Sequence, residues 1–235
     1  MSIRSERIGI TEQNNQLQIQ QERARLDVAG RMPALGFDNI LADWLYIQFI
    51  QYFGDDEMIK VSGYSLVPDY FEQIISRDPL FTDAISRADV AISLFTGEPG
   101  KSVELLSQAL AQQPNHFLTN LPPYYLWRAK GNNELLFLGD IEAAKKSYAK
   151  SIVVAEAYDD DEARRIANIS RGTIKFLESN PDSKFARISA WVTVLANRPD
   201  EKTVARVTQE IEELGGSVEM LPNGSIRVNV PEGAN

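Results

Sequence analysis

The 235-residue chain contains no cysteine. Disulfides, thiolate nucleophiles and zinc–thiolate sites are therefore excluded. The lone histidine, His116, leaves little room for a histidine-based metal cluster or a catalytic triad. Positive charge is in deficit as well, with a net charge of −9 and an isoelectric point near 4.8. A general nucleic-acid binder usually carries a basic face, so no nucleic-acid partner is expected. No apolar run reaches the roughly 18 residues a membrane span needs, so no direct membrane insertion is expected. The opening MSIRSERIGITEQ lacks the apolar centre of a secretory signal. The expected setting is reducing and cytoplasmic, with peripheral association at a membrane left open.

What is present is ordinary for a globular chain: 43% hydrophobic and 24% charged residues. The length suits one elongated domain or two small ones. The most apolar stretch is DNILADWLYIQFIQYFG, residues 38–54, with Asp38 and Asn39 as capping types and Gly54 as a stop. At about 100° per residue, Leu41, Ala42, Leu45, Tyr46, Phe49, Ile50, Tyr52 and Phe53 share one half of a helical wheel. The other half mixes Ile40, Asp43, Trp44, Ile47, Gln48 and Gln51. Such a helix needs cover on more than one side, while its polar strip needs water or a ligand.

The remaining chain keeps a helical rhythm. A Gln-rich helix is expected over 12–29, with a disordered arm as the competing reading, and residues 1–11 are expected to fray. The stretch 54–66 reads as an insertion or a short extra helix, with YSLV strand-like. Helical segments follow before Pro79, before and after the TGEPG turn, and on either side of Gly139-Asp140. The connection 115–123 is a second insertion. Further helices fill 158–214, and from residue 215 the pattern alternates around Asn223-Gly224, a hairpin signal. The domain reading is thus an arm over 1–33, a repeat region over 34–157, further helices over 158–214, and a hairpin and tail over 215–235.

A period emerges when the chain is aligned by its turns. From Gly97, steps of five, four, three and five reach Ser102, Leu106, Ala109 and Pro114. The same steps from Gly139 reach Ala144, Tyr148, Ser151 and Glu156, and stepping back from Pro79 gives Ile74, Phe71, Val67 and Ser62. These offsets resemble the second helix of the tetratricopeptide repeat (TPR). That family places a small residue where two helices cross, a large apolar residue four on, an alanine three on, and then a helix-breaking proline. GDIEAAKKSYAKS and ISRDPLFTDA carry the resemblance best. The family's Leu-Gly pair is echoed only by Lys130-Gly131, and Asp89-Val90 stands in its place before Gly97. The resemblance covers about 38–157, or roughly three repeats with the two insertions. LGFDNILADWLYIQFIQYFGDDE is also similar to a group of TPR-like proteins of cyanobacteria, a similarity that implies no activity. The implied fold is all-α: a TPR-like α-solenoid of antiparallel helix pairs, with a small C-terminal β-hairpin.

Several motifs have a plainer reading. GEPGKS at 97–102 imitates a phosphate loop, but that loop needs four residues between its glycines and this one encloses two. Gly97 is better read as a turn and Ser102 as a crossing residue. The acidic runs 55–57 and 159–162 lack the spacing of a calcium loop and suit helix starts. His116 reads as a loop residue. The sequons Asn168-Ile169-Ser170 and Asn223-Gly224-Ser225 matter only in a secretory protein. Trp44, Trp127 and Trp191 read first as core residues. No catalytic set, metal or cofactor is expected, although an acid–base pair drawn from scattered carboxylates stays open as an enzymatic alternative.

The TPR resemblance implies a concave groove lined by the first helices. Repeat register puts Trp44, Gln48 and Gln51 on that face of one helix, Arg87 and Leu94 on the next, and Lys130, Asn133 and Phe137 on the third. Arg87, Lys130 and Asn133 suit a clamp on a peptide carboxylate; a solvated edge with ordinary salt bridges is the plainer alternative. The expected function is a non-enzymatic module binding a protein or peptide partner. Its rival is a structural or assembly subunit of a larger complex, membrane-associated ones included. Neither reading specifies the oligomeric state.

Overall fold

Helix breaks fall where proline, glycine or a capping aspartate occurs. The computed structural model describes residues 2–197, 199–221 and 226–230, with side chains from residue 15 onward. Among the described residues it is predominantly helical. The helices are α1 (Ser2–Arg31), α2 (Asp38–Phe53), α3 (Asp56–Ser62), α4 (Val67–Arg77), α5 (Thr82–Val90), α6 (Pro99–Leu110), α7 (Pro123–Leu136), α8 (Ile141–Ala155), α9 (Asp161–Leu177), α10 (Lys184–Ala196) and α11 (Glu201–Glu213). A π-helical turn, Ala91–Phe95, extends α5. Two strands, β1 (Ser217–Met220) and β2 (Ile226–Asn229), pair antiparallel, with Ser217 opposite Asn229 and Met220 opposite Ile226. The expected Asn223-Gly224 turn lies outside the described residues. No helix among them is long and apolar enough to cross a membrane. The chain divides into two compact units, Met1–Asp78 and Pro79–Asn235.

In the first unit, α1 runs back to Ser2 rather than starting near residue 12. Residues 2–11 contain no proline and one glycine, so nothing there stops a helix. Ala42, Leu45, Phe49 and Tyr52 form the buried face of α2 and meet Val67, Tyr70, Phe71, Ile74 and Ile75 of α4. The Phe49 ring lies 4.4 Å from that of Phe71, and Tyr52 stacks on Tyr70 at 5.4 Å. The stretch 54–66 becomes α3, started by Asp55, whose carboxylate accepts from the N–H groups of Glu57 and Met58. YSLV is therefore a turn running into α4, not a strand. Tyr52 holds the end of α3, hydrogen-bonding Ser62 Oγ at 2.9 Å and donating to the Gly63 carbonyl at 3.0 Å.

Arg77 closes this unit. Its guanidinium donates to Asp38 Oδ1 at 2.9 Å and to the carbonyls of Ala29, Gly30 and Met32. Those carbonyls lie at the end of α1, where only that of Ala29 also accepts from a backbone N–H, Met32's, and where a cation complements the helix dipole. A flat five-donor fork suits three carbonyls and a carboxylate; an ammonium does not.

In the second unit each helix packs on the next, α5 with its π turn on α6, then α6 on α7, α7 on α8 and α8 on α9. Asp140, Asp160 and Asp200 cap α8, α9 and α11 through Ala143, Ala163 and Thr203 N–H groups, as the helix-start reading of the second acidic run expects. Tyr125 of α7 donates to Glu162 of α9, which also binds Arg165. Beyond α9, α10 and α11 form a pair on which the hairpin leans through Val218 and Val228.

Two predictions follow from these contacts. Arg77→Ala lowers unfolding free energy by about 2 kcal/mol, because it takes the donor from Asp38 and from the part-buried carbonyls at the end of α1; Arg77→Lys restores less than half, and a urea titration showing equal stability for all three proteins would contradict this. Arg165 and then Tyr125 hold the Glu162 carboxyl down, from an ordinary 4.5 to about 2. Its stabilisation is complete above the ordinary value and is lost as pH falls toward 2. Glu162→Gln should therefore lower the melting temperature at pH 7 and bring it level with the native chain near pH 2.

Candidate protein-interaction site

In the first unit the expected groove residues lie on α2, opposite its buried face. Trp44 is 40% exposed, and Ile40 and Ile47 beside it are more so. Gln48 is engaged: its Oε1 accepts from Arg25 of α1 at 3.4 Å, and its Nε2 donates to Gln51 Oε1 at 3.3 Å. Asp43, on the same face, is exposed. This helix therefore carries two apolar faces and buries one of them, consistent with a segment in which few residues are strongly polar.

In the second unit α7 spaces Lys130, Asn133, Glu134 and Phe137 along one side, within two helical turns. Asn133 is buried and donates to Asp89 Oδ1 of α5 at 2.5 Å. Its Oδ1 accepts from Ser93 at 2.8 Å, on the π turn. Ser102 of α6 donates to the same Asp89 oxygen at 2.7 Å. One carboxylate oxygen thus joins α5, α6 and α7. Partial burial raises the Asp89 carboxyl above its ordinary value, against the opposing pull of the hydrogen bonds from Ser102 and Asn133. Lys130 pairs with buried Glu134 and donates to Ser147 of α8 at 3.2 Å. Two of the three residues expected to clamp a partner's carboxylate therefore hold the chain's own carboxylates, and of the three Arg87 alone is exposed.

Leu94 and Phe137 are covered by the chain itself. Phe137 is buried, with its ring edge-on to Trp191 of α10 at 4.9 Å, and Leu94 packs against the same cluster with Val194, Val207 and Ile211. Arg206 of α11 donates to the carbonyls of Thr96 and Gly97 at 3.1 and 3.0 Å and pairs with Glu98 at 3.0 Å. Gly97 has φ +62°, and a Cβ there would stand 3.0 Å from Thr203 Cγ2, so the turn accepts neither a side chain's strain nor its bulk. GEPGKS accordingly forms this turn and the start of α6, with Ser102 bound to Asp89.

The other motifs resolve similarly. Asp55 and Asp160 are helix caps. His116 stands in the loop before α7 with its ring 4.4 Å from Tyr158. Trp191 is core and Trp127 is partly buried beside Tyr124. A cleft of about 380 Å³ between α8 and α9 holds Arg164 and Arg171, but these pair with Asp159, Asp161 and Glu156 around it. The sequence reading missed the roles of Asp89 and Ser93, and it gave no weight to Ile40 and Ile47. Ile40 and Ile47 stand four and three residues from Trp44, and that one-turn spacing was the available signal; nothing local links Asp89 and Ser93 to Asn133. No family model, curated protein or solved structure matches this chain.

The Asp89 junction yields a pH-dependent prediction. A raised carboxyl disfavours its charged form in the fold, so this site favours stability at low pH and the benefit fades as pH rises through the folded value. Asp89→Asn keeps an acceptor for Ser102 and Asn133 without the charge. It should raise the melting temperature at pH 7 and leave it unchanged near pH 3. Asp89→Ala strands both donors and should cost about 1–3 kcal/mol at either pH. A fall in stability on Asp89→Asn at pH 7, read by calorimetry, would count against the junction.

Proposed function

We propose that the chain is a non-enzymatic, TPR-like helical module that binds a protein or peptide partner. The observation that carries this reading is the uncovered apolar face of α2, centred on Trp44 with Ile40 and Ile47. Exposed large apolar side chains gathered in one patch mark interaction surfaces more often than isolated ones do.

The repeat reading has support from packing. Val67, Phe71 and Ile74, then Ser102, Leu106 and Ala109, then Ala144, Tyr148 and Ser151 are all buried, at the same steps in three helices. A Cβ on Gly131 would stand 2.9 Å from the Tyr148 ring, so the α7–α8 crossing requires glycine there. Sequential packing from α5 to α9 suits an α-solenoid, in which each pair contacts its neighbours and leaves extended faces. The residues proposed from repeat register narrow to Trp44 and Gln51 in the first unit and, separately, Arg87 in the second, because Asn133 and Phe137 are turned inward.

An assembly subunit of a larger complex is the second reading. It draws on Leu17 and Val28 of α1, which are 54% and 65% exposed. Affinity capture from the native lysate separates these readings. Ile47→Asp and Trp44→Ala should each remove a partner that Leu17→Ala and Val28→Ala retain. Loss only with the α1 substitutions favours the assembly reading, and identical partner profiles for all four variants would contradict the α2 site.

A further inference from the structure

The exposed face of α2 has a finer pattern than a patch. Phe37, Ile40, Trp44, Ile47 and Gln51 follow one another at spacings of three, four, three and four. All five are exposed, Phe37 and Ile40 by 61% and 62% and Ile47 by 52%. Alternating steps of three and four are the seam of a helix that pairs with another helix, the apolar positions meeting a matching seam along their length. From Phe37 to Gln51 this seam runs about 21 Å at 1.5 Å per residue. The opposite side of the helix, Ala42, Leu45, Phe49 and Tyr52, is already committed to α4.

Charge along the seam selects the partner. Asp43 flanks it, beside Ile50, which is 52% exposed, and no basic side chain among the described residues pairs with Asp43. At the C-terminal end, where the helix dipole is negative, Asp55, Asp56 and Glu57 are all exposed. The one basic residue of α2 and α3, Lys60, is held by Glu57 at 2.7 Å, and Arg25 of α1, which reaches Gln48 beside the seam, faces Glu22 at 3.7 Å. A second copy laid parallel about a two-fold axis would set all of these carboxylates against their own symmetry mates, and one laid antiparallel would do so for Asp43 near the middle of the seam. Like charges brought together across an interface are unfavourable, whereas complementary ones give specificity.

We infer that the α2 seam docks a basic amphipathic helix of a partner protein, its apolar stripe on Phe37, Ile40, Trp44 and Ile47 and its Lys or Arg residues opposite Asp43 and the 55–57 carboxylates. The inference rests on the proposed interaction module and names the chemistry of its partner. The helix-in-groove mode supplies affinity through the apolar anchors, and the flanking charges set orientation and choice of partner.

The probe is a displayed library of helical peptides with a fixed leucine seam at three–four spacing and randomised flanking positions, selected against the full chain. Lys and Arg should be enriched at the flanks. The best peptide should bind the native chain at least about tenfold more tightly than its Glu-flanked twin. Asp43→Lys should shrink or reverse that preference, and Ile47→Asp should abolish binding with the circular dichroism spectrum unchanged. Selection without charge preference, or no selection at all, overturns the inference. So does a concentration-dependent dimer, seen in analytical ultracentrifugation, that Ile47→Asp dissolves. If lysate capture still depends on Ile47 after such a failure, the interaction module stands and only the partner chemistry falls.

Discussion

A helix that is apolar on opposite sides cannot be satisfied by one neighbour, and α2 imposes that constraint on the first unit. Its buried side is fixed by aromatic packing of Phe49 and Tyr52 on Phe71 and Tyr70 of α4. Arg77 then ties α4 to the end of α1 and to the first residue of α2. Burying each such aromatic contributes about 2–3 kcal/mol by area alone, so the orientation of α2 is not negotiable. Its other side faces outward as a consequence of this packing.

The second unit solves a different problem. Its buried positions include small residues, Gly131 against the Tyr148 ring, Ser102 and Ala144, which supply little apolar area. Polar side chains fill the gaps and satisfy one another: Asp89, Ser93, Ser102 and Asn133 at one junction, and Lys130, Glu134 and Ser147 at the next. Groups that look from the sequence like donors for a ligand are thereby consumed inside the fold. The π turn, where the Thr96 N–H reaches back to the Ala91 carbonyl at 3.3 Å, brings Ser93 to Asn133 and offers its trailing carbonyls to Arg206 of α11.

Element positions were largely legible because this chain is punctuated by strong breakers. Gly54, Pro79, Pro114, Gly139 and Pro181 separate helices, and aspartates cap the starts of four, α3, α8, α9 and α11. The periodic steps from Gly97 and Gly139 marked buried positions correctly because a crossing tolerates so few residue types. What was not legible is long-range. That α10 and α11 cover Leu94 and Phe137 depends on contacts roughly fifty to a hundred residues apart in sequence, and no local pattern encodes them. The length of α1 was underread because its polar, Gln-rich sequence lacks the apolar stripe by which a helix is usually detected. Lys130 and Asn133 were read as lining a groove; Lys130's partner Glu134 stands one turn along the same helix, whereas the bond from Asn133 to Asp89 spans 44 residues and leaves no local trace.

The account turns on whether the outward face of α2 is covered by another protein in the cell. A photo-crosslinking residue placed at position 47, with one at exposed Lys150 as the control, measures this directly. The account predicts a discrete heterologous adduct from position 47 and none of that mass from position 150. Adducts that are the same from both positions, or their absence from position 47, would contradict it.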